Sequence, residues 1–251
     1  MLNPNVFRYR IITNLQCNQK CYFCFQPDKR DKILDLDFMK KTMQKVGKLK
    51  RATIMGGESL LLDNIVDYFK IANKYADTLC LVTNGSLLTE SLVKELVANG
   101  LQEMAISISS MQQFDARLEQ ILFSNKLVPN LRLNIPKCNE STGEKLYALV
   151  DRALTNDIGV VVCEDLNTIH GDCLADLTQG MRAELLNDDG HNFYALRWKG
   201  REFGLFGYHG NDKAKIGTAE SGYEKTDIII TPDTRNEDKY SGRVYSVWAD
   251  Y

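Results

Sequence analysis

From residue 7 to about residue 165 the chain alternates two textures. Short runs rich in Ile, Val and Leu recur at Phe7–Thr13, Arg51–Met55, Leu79–Thr83, Met104–Ser109, Leu131–Ile135 and Ile158–Cys163. Their nearly unbroken apolar character predicts parallel strands covered on both faces. Segments with helical periodicity lie between them. Asp63–Ala76 places Ile65, Val66, Phe69, Ala72 and Tyr75 along one stripe. Glu90–Asn99 stacks Leu92, Val93, Leu96 and Val97, and Gly100 follows where a C-terminal cap belongs. Ser141-Thr142-Gly143-Glu144 reads as a capping box opening a helix that carries Leu146, Leu149, Val150, Ala153 and Leu154.

Strands alternating with helices in this way imply an α/β fold, a parallel sheet with right-handed crossovers. A closed eight-stranded barrel needs about 250 residues of unbroken alternation. Here the pattern stops near residue 165, so the prediction is an open, partial (β/α)6 parallel barrel. After residue 174 the texture changes. One helix is expected over Leu174–Leu186, followed by β-like pieces at Phe193–Trp198, Glu202–Phe206, Asp227–Thr231 and Arg243–Trp248. Turn-rich segments such as Lys199-Gly200 and Gly207–Asn211 join them, and Pro232–Gly242 is polar and charged. The expected division is a core over residues 1–173 and a small β-rich C-terminal cap over 174–251.

Composition adds exclusions. The 251 residues are 44% hydrophobic and 25% charged, which suits an ordinary globular protein. A formal net charge of −2 gives no global pull toward nucleic acid or anionic lipid. The basic run Lys40-Lys41, Lys48, Lys50 and Arg51 reads as a solvated helix face. No apolar stretch approaches the roughly 20 residues that span a bilayer, and Met1–Asn5 lacks a basic-then-apolar signal pattern. These features point to a cytoplasmic protein whose seven cysteines are thiols or metal ligands, not disulfides.

The decisive chemistry is Cys17-Asn18-Gln19-Lys20-Cys21-Tyr22-Phe23-Cys24, a C-x3-C-x2-C triplet directly after the first strand. Three thiolates this close together can converge on one soft metal centre, an iron–sulfur cluster, zinc or Cu(I). A structural zinc site wants four closed ligands, and here the fourth is missing locally. A cubane held by three cysteines leaves one iron open to a small molecule. The loop also sits at the carboxyl end of a parallel strand, where ligands bind in such folds.

This triplet, with Phe23 before its last cysteine, resembles the cluster loop of the radical S-adenosylmethionine (SAM) superfamily. The resemblance implies a [4Fe–4S] cluster on Cys17, Cys21 and Cys24, whose open iron is chelated by SAM. Reductive cleavage of SAM in that family releases a 5′-deoxyadenosyl radical that abstracts hydrogen. Two further matches follow in order. Gly56-Gly57-Glu58 ends the second strand, where glycines admit a close approach and Glu58 can face the SAM amino group. Ser59 stands where the family has proline, which is expected to loosen the turn. Thr83-Asn84-Gly85 closes the third strand and resembles the family segment beside SAM. Ser107, Ser109, Arg132 and Asn134 are then the implied ribose or carboxylate contacts, and the apolar run around Val161 is the implied adenine platform.

Among the other cysteines, Cys80 is expected in the core. Cys163 is the candidate hydrogen-atom donor, and Cys138 a lesser one. Asp165, Asn167 and His170 could line a substrate pocket, while His170, His191 and His209 show no mutual metal-ligand spacing. Trp198 and Tyr208 could shape a lid, although core packing suits them as well. The segment Asp227–Asp233 with Gly242–Tyr245 resembles the hairpin of a SPASM/twitch-type extension, but Ser246, Val247 or Trp248 stands where its first cysteine would be. The resemblance implies an enzyme acting on a small-molecule or peptide substrate, with a flavodoxin- or ferredoxin-type electron donor as partner. The alternatives are an RNA-modifying member of the same family and a non-enzymatic iron–sulfur or zinc protein.

Overall fold

The structure is a computed structural model that describes residues 6–21, 24, 31–113, 119, 127–128, 130–137, 142–164, 173–188, 193–206 and 226–232. The chain divides into two units. The first contains residues 1–104, 127–129 and 214–250; the second contains 105–126 and 130–213.

In the first unit, strands β1 (Val6–Ile12), β2 (Leu49–Met55) and β3 (Ala76–Thr83) alternate with helices α1 (Leu36–Val46), α2 (Ile65–Ala72) and α3 (Glu90–Ala98). Strand β10 (Thr226–Ile230) pairs with β1, so the order is β10-β1-β2-β3, and each of these pairings is parallel. In β2 and β3 the carboxyl-terminal half is nearly continuously buried, as expected where both faces are covered. β1 departs from the simple apolar pattern. Tyr9 and Ile11 alternate with Arg8 and Arg10, and all four are buried. The Tyr9 hydroxyl donates to Met43 O at 3.4 Å and to Gly47 O, so Tyr9 lies on the face covered by α1. Arg8 and Arg10 therefore occupy the opposite face, in register with Arg51 and Thr53 of β2. Arg51 is held by Glu103 at 2.5 Å.

The chain passes from the first unit to the second along β4 (Leu101–Ser107). In the second unit, β5 (Asn130–Lys137), helix α4 (Glu144–Thr155) and β6 (Gly159–Glu164) form a further parallel strand–helix–strand unit. Strand β9 (Arg201–Phe206) joins β6 in parallel. Strands β8 (Phe193–Trp198) and β7 (Glu184–Asp188) follow antiparallel, giving the order β5-β6-β9-β8-β7. The fold is α/β, mostly parallel, and neither unit's sheet closes on itself.

Two local expectations change. The helix expected over Leu174–Leu186 ends early: Cys173–Ala175 is α-helical, Asp176–Gly180 continues as a π-helix, and the chain is in β7 from Glu184. Leu177 fills the buried side of that helical turn, while Leu185 of β7 stays largely exposed. The capping box before α4 does not form. Gly143 occupies the cap position at φ 52° and no side chain caps the helix. Gly100 does follow α3 in a left-handed conformation, φ 100°. The strand expected at Arg243–Trp248 lies outside the described residues. Among the described residues, no helix is long and apolar enough to cross a membrane.

The Tyr9 hydroxyl fastens the end of α1 to the sheet. Tyr9→Phe keeps the ring and should lower unfolding free energy by about 1 kcal/mol in urea titration. An unchanged midpoint would mean that the hydroxyl bonds contribute nothing.

Candidate functional site

The cysteine loop begins where β1 gives way to a doubly clamped segment. On one side Thr13 N donates to Met55 O at 2.8 Å, Gly57 N to Asn14 O at 2.8 Å and Glu58 N to Gln16 O at 2.7 Å. On the other, Leu34 N donates to Thr13 O at 2.8 Å and Leu15 N to Lys32 O at 2.9 Å, around an antiparallel bridge between Asn14 and Ile33. Gln16 Nε2 to Asp31 Oδ1 at 2.7 Å closes the base. The ladder of the sheet thus continues past the strand ends, and the cysteines hang from a fixed neck. Cys17 is the first residue beyond it.

The two glycines are explained by this clamp. A Cβ on Gly57 would lie 1.9 Å from Gln16 O, and one on Gly56 would lie 2.4 Å from Asn14 Oδ1. They let backbone meet the backbone of the cysteine-bearing segment, a contact as close as the approach to a ligand expected from the sequence.

Glu58 sits beneath this junction with 1% of its surface exposed. Its carboxylate accepts from Asn84 N at 2.7 Å, Thr83 Oγ1 at 2.8 Å and Leu60 N at 3.0 Å. Burial pushes its pKa above the usual carboxylate range, and the three donors oppose that rise. The Glu58 side chain thereby joins the turn after β2 to the turn after β3. Thr83 is engaged twice, since its Oγ1 also accepts from Gly85 N at 3.1 Å. Ser59 is not a loosening substitution: it is fully buried at the start of a short 3-10 turn, and Thr13 Oγ1 donates to its hydroxyl at 2.9 Å.

Cys17, Cys21 and Cys24 are partly exposed and in no disulfide. Cys24 N donates to Cys21 O at 3.2 Å, forming the turn that brings these two together. Among the described residues, no group of three His, Cys, Asp or Glu side chains is disposed to hold a single metal ion. The donor set itself, three soft thiols on one clamped loop, has the chemistry that a three-cysteine cubane requires. Phe23 lies outside the described residues, as do Cys138, Asp165, Asn167, His170, His191, Tyr208 and His209.

The second unit holds the other assigned residues. Asn134 and Arg132 of β5 face the same side as Val161 and Gly159 of β6, with Asn134 in register with Val161. Asn134 is buried, and its Oδ1 has no hydrogen-bond partner among the described residues. Ser109 donates its backbone N–H to Gln113 Oε1 at 2.5 Å, and Ser107 ends β4 half-buried. Cys163 pairs with Pro136 across the ladder. Desolvation pushes its thiol up to about 12, with Arg132 drawing it partly back, so it is protonated at neutral pH. Cys80 is buried, as expected. Trp198 is a fastening residue, donating to Asp151 Oδ1 of α4 at 2.9 Å. The neighbouring Lys199 binds the same oxygen at 2.7 Å and helps hold that carboxyl below its ordinary pKa.

Residues 11–159 match the model of the radical SAM superfamily. The chain belongs to that superfamily, whose members use a [4Fe–4S] cluster and SAM. A GTP 3′,8-cyclase of Clostridium perfringens is 28% identical over 169 residues, covering 59% of this chain and 52% of that protein. An S-adenosylmethionine-dependent nucleotide dehydratase of Lacinutrix mariniflava is 33% identical over 106 residues, 39% of this chain and 22% of that protein. The chain thus spans about half the length of the first of these relatives, and less of the second. Streptococcus suis SuiB bound to its precursor peptide SuiA shares the fold with a TM-score of 0.63 at 16% identity, over 98% of this chain and 63% of that one.

Glu58 gives this site a pH signature. Its folded-state pKa is raised, so its contribution to stability is complete below the ordinary carboxylate pKa and is lost as pH rises through the raised value. Glu58→Gln cannot ionise and lacks this pH dependence, so whatever the lost acceptor costs it, its stability relative to wild type should improve as pH rises above the ordinary carboxylate pKa of about 4. Thermal denaturation across that range measures it; parallel curves for the two proteins would contradict the buried-carboxylate assignment.

Proposed function

We propose that this chain binds a [4Fe–4S] cluster through Cys17, Cys21 and Cys24 and uses it with SAM to abstract hydrogen from a small-molecule or peptide substrate. The observation that carries this reading is the clamped neck at residues 13–16. It holds the start of the cysteine loop against the Gly56-Gly57-Glu58 turn, and Cys17, the first residue beyond it, lies 4.0 Å from Asn84 Nδ2 of the Thr83-Asn84-Gly85 turn. When bound, the cluster and SAM supply a one-electron cleavage that yields methionine and a 5′-deoxyadenosyl radical.

The chain's own residues orient and exclude. Gly56 and Gly57 hold the second turn against the cysteine loop, and Glu58 keeps the second and third turns in fixed relation. In the second unit, Asn134 Oδ1 is the acceptor offered to a SAM ribose hydroxyl. Arg132, Ser107 and Ser109 are the remaining polar contacts, and Val161 is the apolar surface for adenine. Cys163, protonated at neutral pH, is held in the form that can give up a hydrogen atom. Electrons come from a flavodoxin- or ferredoxin-type donor.

The sequence relatives are named for work on nucleotides and SuiB is bound to a peptide. Kinship in sequence carries more than kinship in fold alone, so nucleotides are the first substrates to test. The residues after 174 are read as a cluster-free extension. No cysteine follows Cys173, and the described strands of that segment are β10, paired with β1, and β9, paired with β6 and followed by β8 and β7.

Anaerobic reconstitution with iron and sulfide should load about four irons per chain, and about eight would overturn the cluster-free extension. Given SAM and dithionite, the loaded protein should form 5′-deoxyadenosine, and Cys17→Ala, Cys21→Ala and Cys24→Ala should each reduce this at least about 100-fold. An intact cluster that never cleaves SAM would sink the reading.

A further inference from the structure

The resemblance assigns Asn84 to SAM, yet its side chain is already fully engaged within the protein. Oδ1 accepts from Ser86 N at 2.9 Å and from Ser86 Oγ at 2.7 Å. Nδ2 donates to Asn18 Oδ1 at 2.9 Å and lies 4.0 Å from Cys17 Sγ, within reach of its second N–H. A primary amide offers two donor hydrogens and an oxygen with two lone pairs, so these four contacts use all of it. The amide cannot be flipped without loss, because Ser86 N can only donate and must meet the oxygen. Asn18 Nδ2 returns to Ser86 Oγ at 2.8 Å and closes a ring of three side chains. That ring ties the residue after Cys17 to the turn after β3. Cys17 Sγ meanwhile accepts from Gln19 N at 3.4 Å.

We propose that Asn84 is a positioning residue for the cluster: it holds Cys17 through the Asn18–Ser86 ring, raises the cluster's midpoint potential with an N–H···S bond, and makes no side-chain contact with SAM. The inference rests on the reading that Cys17 is a cluster ligand. Once deprotonated and bound to iron, the sulfur is a stronger acceptor than a thiol, so the contact tightens. An N–H donor favours the more negative, reduced cluster over the oxidised one, and hydrogen bonds to the sulfurs are among the levers that set such potentials. The two faces of the Asn84 amide thus do separate work. The oxygen shapes the turn, and the nitrogen serves the cysteine.

The test is a redox titration of the reconstituted full chain without SAM, followed by EPR, with iron content and SAM dissociation measured in parallel. Asn84→Asp keeps the acceptor for Ser86 and so preserves the turn, while losing the N–H donor and adding a negative charge. Asn84→Leu removes donor and acceptor without adding charge. Both should keep about four irons. Asn84→Leu should shift the one-electron equilibrium about tenfold toward the oxidised cluster, about 59 mV downward, and Asn84→Asp further. SAM affinity of Asn84→Leu should change less than about threefold. Asn18→Ala opens the ring from the cysteine side and should move the potential the same way, and the double variant should move it no further than Asn84→Leu. An unchanged potential with SAM bound about tenfold more weakly would make Asn84 a SAM ligand and overturn the proposal. A wild-type chain that takes up no cluster would instead defeat the reading beneath it.

Discussion

The buried carboxylate of Glu58 is the constraint on which the arrangement of this site depends. A carboxylate with 1% exposure is costly, and it persists here only because three donors converge on it from two different turns. Hydrogen bonds to a charged group are worth about 1.5–3 kcal/mol each. Losing any one would leave a buried donor or charge uncompensated. The turns after β2 and β3 are therefore not independent loops; each is fixed by a group that belongs to the other.

The same logic reaches the cysteines by a different route. Parallel strands normally stop hydrogen bonding where the chain turns away, yet here the β1–β2 ladder runs on through Asn14 and Gln16 to Gly57 and Glu58. Side chains reinforce the extension, with Asn14 Nδ2 donating to Glu58 O at 3.0 Å and Thr13 to Ser59. A rigid neck limits the conformational entropy that three thiols must lose when they converge on one cluster. It also explains two adjacent glycines without invoking a ligand, since either Cβ would overlap the neck.

Much of this was legible in the sequence, and the boundary between what was and was not is physical. The strand–helix alternation, the buried Cys80 and the left-handed Gly100 follow from periodicity and local conformational preference. The C-x3-C-x2-C spacing is local too, so the candidate ligands could be named directly. What could not be read were long-range partners. Glu58 looked like a group facing a cofactor, and its engagement with Thr83 and Asn84, some 25 residues away, depends on how the strands align. Asn18 and Ser86 carry no motif, and the hydroxyl partner of Ser59, Thr13, lies 46 residues away. The end of the helix near residue 180 failed for a similar reason: Glu184–Asp188 pairs with β8, and that strand overrides the helical periodicity of Leu185 and its neighbours.

Arg8-Tyr9-Arg10 alternates within β1, and period-two alternation of charge in a strand buried on both sides means that one face is polar inside the protein. The structure puts Arg8 and Arg10 on the face away from α1, beside Arg51 and Thr53, with Glu103 on Arg51. Guanidinium groups keep their charge when buried, because their pKa lies far above neutrality. A strand that tolerates two of them must either pair each internally or present a polar lining, and an apolar core could do neither. The first unit is thus divided by chemistry as well as by layers. On β1 and β2, Tyr9, Ile11, Ala52 and Ile54 share one face while Arg8, Arg10, Arg51 and Thr53 share the other, and the cysteine loop begins at the carboxyl end of β1.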